Sequence, residues 1–422
     1  MKILHTVESY LPAMHGMQKV VQQISEKLFL LGHDVTIATK YSSDRNYSML
    51  NGVAIESFKL SGNSVEGIDG TEDEKTRYIN FVKNGDFDII SNFAAQQWAT
   101  DILLPYLEEI ECKKIFIPTG FSKLNDSRYK SYYNKMADWL KIYDMNVFLS
   151  DDYQDINFAK DKGIKNLAVI ANAASYDEFY GLTDSDIRKR LHIGSDEFLI
   201  LTVGSHTGLK GHKESIDIYR RSKIENSTLL IIGNHTISKS FFKTIFINLI
   251  KQILNIFSFI TKKKYVASCY HSCNIKAKFY NFLFKINLSQ KRIIVRNLDR
   301  DDTLSAYSSA DLFLFPSNIE CSPLVLFEAI ASKTPFLSSS AGNSPEIAAL
   351  TKGGMILPTT KKKDGYSKVD IKGSVKMLEN LYVNNDVRAD LKKNGYDSWL
   401  KYFTWELITK QYESLYSTLL SK

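Results

Sequence analysis

The chain has 422 residues, 44% of them apolar and 24% charged, with 8 prolines and 21 glycines. That length supports two or three domains, and the composition excludes a disordered or fibrous chain as well as a single small binding module. The formal charge of +7 is concentrated: residues 239–292 hold eleven Lys or Arg and no acidic residue, which leaves −4 on the rest of the chain.

In chain order, residues 2–7 read as a buried strand. The opening has too short an apolar run, and the wrong flanks, for a secretory signal, so a cytoplasmic protein is expected. The four cysteines, Cys112, Cys269, Cys273 and Cys321, are few and irregularly spaced, which argues against a disulfide scaffold and suits a reducing compartment. A loop with Pro12, His15 and Gly16 leads into a helix over about 17–31, closed by Gly32. Further strands are predicted at 35–39, 88–91, 114–118 and 146–150. The pattern breaks over 172–196. There the Asp184-Ser-Asp186 triplet has the look of a chelating pair, but it stands just before Ile187-Arg-Lys-Arg-Leu and reads as a helix cap. A second series of strands runs 198–203, 229–232, 293–295, 311–315, 334–337 and 355–357. Strands alternating with helices, in two series, imply two doubly wound α/β domains.

The basic segment interrupts the second series. Within it, residues 241–260 set Phe242, Ile245, Phe246, Leu249, Ile250 and Ile253 at helical spacing, with Lys262-Lys-Lys264 beside them. Lys243 and Lys251 weigh against a membrane span. An apolar helical face next to cationic charge favours an anionic membrane surface over nucleic acid, with packing on the protein's own second domain, or on a partner, as the alternative. Cys269-Tyr-His271-Ser-Cys273 suggests half a zinc site, but no second ligand pair accompanies it in the sequence, so no metal is expected.

The most informative stretch is Phe315-Pro-Ser-Asn-Ile-Glu320-Cys-Ser-Pro-Leu-Val-Leu-Phe-Glu328. Pro323 falls in the first turn of an apolar helix, which puts Glu320 in the preceding loop and Glu328 two turns further on. A helix amino terminus attracts phosphate, and carboxylates accept from sugar hydroxyls, so one sugar-nucleotide site would use both. After the strand at 198–203 comes Gly204-Ser-His-Thr-Gly208-Leu-Lys210-Gly211, where glycines permit close approach to phosphate and Lys210 supplies charge. The loop with His15, Gly16 and Gln18 similarly precedes a helix.

Together these residues resemble the retaining glycosyltransferases of family 4, over almost the whole chain. The shared features, in the family's order, are Gly16 to Leu31 with Gly32-His33; Asn172 with Phe179; Val203-Gly with Lys210-Gly211; Ala310-Asp311 to Pro316-Ser; Glu320 to Glu328, a Glu-x7-Glu motif; Gly342-Asn-Ser-Pro-Glu346; and Phe403-Thr-Trp405-Glu. The resemblance implies the GT-B fold, two Rossmann-like doubly wound domains facing a cleft. It implies an acceptor-side domain over 1–180, a nucleotide-sugar domain over 181–402 carrying the insertion 238–292, and a terminal helix over 403–422 that crosses back to the first domain. By the same likeness, Lys210 neutralises the donor diphosphate, Glu320 contacts the donor sugar as the catalytic carboxylate and Glu328 holds the ribose. Gly204, Ser205, Gly211, Ser322 and the amides of Leu324 and Val325 complete the nucleotide site, and His15, Gly16, Gln18 and Thr119 lie on the acceptor side.

Three departures stand out. Ser205 replaces a usual arginine, so that phosphate charge must come from His206, His212 or another residue. Pro118-Thr119-Gly120 replaces a usual histidine, and Ala341-Gly342 a usual Gly-Gly. The implied activity is transfer of a sugar from a nucleoside-diphosphate sugar to a glycan or lipid-linked glycan, for cell-surface polysaccharide, with no cofactor, no metal and no nucleic-acid partner, on the inner face of the cell membrane. A sugar-nucleotide epimerase or phosphorylase of the same fold, and a non-catalytic sugar-nucleotide-binding protein, are the alternatives.

Overall fold

The structure, a computed structural model, describes residues 1–12, 16–181, 187–233, 269–362 and 365–422. His15, the Asp184-Ser-Asp186 triplet, the apolar run 241–260 and Lys262–Lys264 lie outside the described residues. Internal contacts group the chain into two units: Met1–Asp177 with Cys321–Phe327 and Ser398–Lys422, and Glu178–Glu320 with Glu328–Asp397.

The first unit is built on an eight-stranded sheet. Its strands are β1 (Lys2–Thr6), β2 (Asp34–Lys40), β3 (Met49–Leu50), β4 (Val53–Phe58), β7 (Ile89–Phe93), β8 (Lys113–Ile117), β9 (Met145–Phe148) and β10 (Leu167–Val169), in the order β10-β9-β8-β7-β1-β2-β4-β3; β5 (Ser61–Asn63) and β6 (Gly67–Asp69) form a separate hairpin. All neighbours in the large sheet are parallel except the short edge strand β3 against β4. A parallel sheet covered on both faces needs strands apolar on both sides, and β1 supplies them: Leu4 packs into one core cluster, with Phe58, Trp98 and Phe116, and Ile3 into the other. The second cluster takes Val20, Val21, Ile24 and Leu28 from helix α1 (Gly16–Leu30), together with Trp405, Ile408, Tyr412, Tyr416 and Leu419 from the last helix, Trp405–Leu420. Thr404 caps that helix by accepting from the Leu407 amide. Buried His5 joins the three elements: its Nδ1 meets Ser25 Oγ on α1 at 2.7 Å, its Nε2 meets Tyr416 Oη at 3.3 Å, and Tyr416 in turn meets Ser91 Oγ at 2.8 Å.

The second unit holds a six-stranded, all-parallel sheet. Its strands are β11 (Phe198–Val203), β12 (Ser227–Ile232), β13 (Lys291–Arg296), β14 (Leu312–Phe315), β15 (Phe336–Ser338) and β16 (Gly354–Ile356), in the order β13-β12-β11-β14-β15-β16. The chain therefore winds outward from β11 in one direction, then returns to lay β14 on its other side. This reversal between β11 and β14 is the topological switch point, the place where open α/β sheets bind ligands outside the carboxyl ends of their strands.

Helix α2 (His212–Arg221) follows β11, and α3 (Cys269–Ile286) precedes β13. Lys291, 7% exposed, donates to the Tyr219 and Ser222 carbonyls at 2.6 and 2.7 Å, so its ammonium closes the carboxyl end of α2. For 269–286, helix α3 takes up the alternative of packing on the protein's own second domain. Cys269, Cys273, Ala277 and Phe284 face the second core, and the Asn281 amide exchanges two 2.8 Å hydrogen bonds with the backbone of Ile293, satisfying the outer edge of β13 as a neighbouring strand would. This inner face of the insertion is core. Its other face leaves Ile275, Phe279, Phe282 and Ile286 exposed.

Candidate active site

The loops after β11 and β14 flank the switch point, and glycine brings them into contact. Gly211 has φ +75°, and a Cβ there would stand 2.2 Å from the Pro316 carbonyl oxygen, so only glycine lets the first loop lie on the second. A Cβ on Gly204 would come 3.0 Å from Lys210 Cβ, which leaves no slack on the other side of the turn. The Asn318 amide donates to the Leu209 carbonyl at 2.8 Å and completes the junction. Across it, Lys210 Nζ donates to Glu320 Oε1 at 2.7 Å, and Ser317 Oγ donates to the same oxygen, also at 2.7 Å. The Glu320 side chain is 8% exposed and that of Lys210 29%. A nearly buried carboxylate thus has its charge matched by a cation that still reaches solvent. The ammonium carries three donors, so the bond to Glu320 leaves it able to meet an anion as well.

Glu328 occupies a second ionic cluster in the same unit. Arg300, at the first position of helix α4 (Arg300–Ser309), places Nη1 2.8 Å from Glu328 Oε1 and donates from Nη2 to Glu178 Oε2 at 2.7 Å. Burial works against the guanidinium charge, but the two carboxylates outweigh it and raise the Arg300 pKa further above its ordinary value. Two carboxylates share this one guanidinium, which fixes the position of Glu328.

The structure bears on one of the two histidines near Ser205 that could supply phosphate charge, His212. His206 and His212 bring their Nδ1 atoms to 3.0 Å from each other, and His212 is 2% exposed, with a pKa lowered chiefly by burial. The His212 imidazole, buried and with its charged form disfavoured, does not replace an arginine cation. Sequence reasoning misses Arg300 and Ser317. Ser317 has a signal, three residues before Glu320 in the Pro316-Ser pair, whereas Arg300 has none, since its partners lie 122 and 28 positions away.

The segment Cys321–Phe327 belongs to the first unit. Helix α5 (Leu324–Ala331) starts directly after Pro323. Asn172 Nδ2 donates to the Ser322 carbonyl at 3.0 Å, and a Cβ on Gly16 would lie 3.8 Å from Leu324. Thr119, Gly120 and Phe121 form a run of positive φ at +56°, +105° and +47°. Such backbone persists only where neighbours hold it. Gln154 Nε2 donates to the Gly120 carbonyl at 2.6 Å, and Asp155 Oδ2 accepts from the Gly120 amide at 2.8 Å. Burial pushes the Asp155 carboxyl up to about 6. A Cβ on Gly120 would meet Cys321 Sγ at 2.8 Å, so this turn backs directly onto the start of the segment. Gln18 donates to Ser9 Oγ.

Two sheets of parallel strands, each wound from the middle outward, with charged groups gathered at the switch point of the second, define a GT-B glycosyltransferase. Residues 183–397 match the family described as glycosyl transferases group 1, and the chain belongs to that family. Among solved structures, it is similar to a sucrose-phosphate synthase from Thermosynechococcus elongatus, at 16% identity and a TM-score of 0.71, covering 100% of each chain. It is similar to Anabaena Alr3699/HepE in complex with UDP and glucose, at 12% identity and a TM-score of 0.69, covering 99% of this chain and 100% of the other. It is also similar to WaaG, a glycosyltransferase involved in lipopolysaccharide biosynthesis, at 15% identity and a TM-score of 0.62, covering 97% and 98% of the two chains. At these identities the likenesses establish the shared fold. A search of curated protein sequences finds no match to this chain. Among the described residues, no helix is long and apolar enough to cross a membrane.

Proposed function

We propose that this glycosyltransferase is a retaining enzyme of the family 4 type, which moves a sugar from a nucleoside-diphosphate sugar to a glycan or lipid-linked glycan. The observation that carries the reading is the Lys210–Glu320 pair across the switch point. In this reading, Lys210 meets the donor diphosphate and Glu320 contacts the sugar beside the reacting carbon. As the bond from the anomeric carbon to the phosphate oxygen breaks, charge gathers on the departing diphosphate. A fixed ammonium and the first amides of α5, at Leu324 and Val325, stabilise that charge more than the ground state. Glu328 accepts from the ribose hydroxyls, with its orientation set by Arg300. Gly204, Ser205, Gly211 and Ser322 shape the donor site, and the acceptor side draws on His15, Gly16, Gln18 and Thr119. The reaction so written takes no cofactor and no metal.

A nucleotide donor is in keeping with the UDP held by the Anabaena protein, and a surface-polysaccharide role with the involvement of WaaG in lipopolysaccharide biosynthesis. Attachment to the inner membrane face through 238–292 is supported by the exposed Ile275, Phe279, Phe282 and Ile286, with Lys278 and Lys285 exposed beside them. The test is incubation of the purified chain with a panel of labelled sugar nucleotides and a membrane extract. Label transferred to extract material, with retention at the anomeric carbon, supports the reading. Rearranged sugar nucleotide would identify an epimerase, and binding without either product a non-catalytic protein.

A further inference from the structure

The Cys269/Cys273 pair, read from sequence as half a metal site, has its missing half in three dimensions. His206 comes from the loop after β11, His212 opens α2, and Cys269 and Cys273 lie one turn apart at the start of α3; one ligand atom from each of the four falls within 4.8 Å of all the others. The sequence hides the second pair because His212 and Cys269 stand 57 positions apart. His271 is not a member of the cluster.

The geometry points to a Cys2His2 site for a divalent cation of the zinc type, fastening the loop that carries Lys210 to the start of α3. Around a tetrahedral zinc, sulfur at about 2.3 Å and nitrogen at about 2.0 Å put neighbouring ligand atoms roughly 3.3 to 3.8 Å apart. The observed separations are 3.0 Å between the two Nδ1 atoms, 3.8 Å from His212 Nδ1 to Cys269 Sγ, and 3.9 Å between the two sulfurs. Three of the four residues are buried, and the Tyr270 ring stands 5.0 Å from that of the fourth, His206. None of the four cysteines is in a disulfide.

The chemistry of the donors agrees with the distances. Two imidazole Nδ1 atoms 3.0 Å apart can share at most one proton between them without a cation, whereas a metal at their meeting point uses both lone pairs. A divalent cation that displaces both thiol protons to solvent leaves two thiolates and two neutral imidazoles around a charge of +2, a neutral site fit for a dry interior. Soft sulfur with imidazole in this arrangement selects zinc over the hard, oxygen-seeking cations.

The placement gives the site a consequence. A Cβ on Gly233 would come within 3.0 Å of His206 Nε2, so the last described residue before 234–268 packs on the cluster, and Cys269, the first after it, is a ligand. The metal would fix both ends of that segment to the loop from which Lys210 projects. The metal's role is structural and stands apart from the proposed reaction.

The experiment is elemental analysis and zinc-edge X-ray absorption on the full chain, purified without chelator, then reduced and dialysed against zinc. About one zinc per chain, in a shell of two sulfurs and two nitrogens, is the expected result. The double variant Cys269→Ser/Cys273→Ser should lose the metal and His271→Ala should keep it. Because the double variant can fail to fold, cobalt substitution of the wild-type chain gives an independent reading: intense visible d–d bands and a sulfur-to-cobalt charge-transfer band mark tetrahedral thiolate ligation. Reduced wild-type protein that takes up neither zinc nor cobalt, or a shell of oxygen and nitrogen alone, overturns the proposal.

Discussion

Arg300 pairs with both Glu178 and Glu328. Replacing it with Gln removes the guanidinium charge from two mostly buried carboxylates. The expected loss of stability is about 2–3 kcal/mol, less than for a fully buried pair because 33% of the Arg300 side chain reaches solvent. Urea denaturation checks this, and donor KM should rise more than kcat falls, since Glu328 is read as a binding group. A second residue-level prediction concerns pH. Burial lowers the His5 pKa to about 3. Above its unfolded value of about 6.5, His5 is neutral in both states and neutral to stability. As pH falls below that, the unfolded chain takes up a proton that the folded chain refuses, and stability drops by about 1.4 kcal/mol per pH unit until the folded pKa is reached. Between pH 7.5 and 5, the stability advantage of wild type over His5→Gln should therefore shrink by roughly 2 kcal/mol. An unchanged difference across that range would show that His5 titrates normally.

At the level of elements, the legible ones are those whose environment leaves a mark on every residue. Strands buried on both faces, such as 198–203 and 312–315, are apolar at every position but Thr202 and read as strands at once. Strands at the margin of the first sheet carry no such mark: β4 mixes Ala54, Glu56 and Ser57 among its apolar residues, and the β5–β6 hairpin is made of Ser, Gly and Asn with a single isoleucine and an aspartate. Helix α3 reads in the sequence only as part of a basic amphipathic insertion. Its two apolar faces differ in fate, since one is core and the other exposed, and the sequence spaces both at helical period. The exposed face adds two described residues, Phe279 and Phe282, to the test of the membrane proposal. Wild-type protein should float with vesicles rich in anionic lipid, and Phe279→Ser/Phe282→Ser combined with Lys262, Lys263 and Lys264→Glu should float several-fold less. Equal flotation of the two, or none by wild type, would remove the membrane claim and leave the transferase claim intact.

For the whole molecule, the doubly wound architecture is readable because each sheet is generated by a local rule, strand then helix, repeated along the chain. The candidate site is readable in part. Lys210 and Glu320 each stand in the loop after an apolar strand, and the winding of the sheet brings those loops together. What escapes are contacts between distant segments that no motif marks: Arg300 with Glu178 and Glu328, and the pairing of two histidines with two cysteines. Such partners are joined by topology, and no spacing along the sequence encodes them. The central claim is that the Lys210–Glu320 pair performs sugar transfer. Its most direct test is the initial rate of transfer from the preferred sugar nucleotide by wild type, Lys210→Ala and Glu320→Gln, each shown by circular dichroism to be folded. Loss of a charge contact at the reacting phosphate or sugar should lower the rate about a hundredfold in each variant, near 3 kcal/mol of transition-state stabilisation. Rates within about threefold of wild type in both folded variants, a difference worth under 1 kcal/mol, would contradict the account.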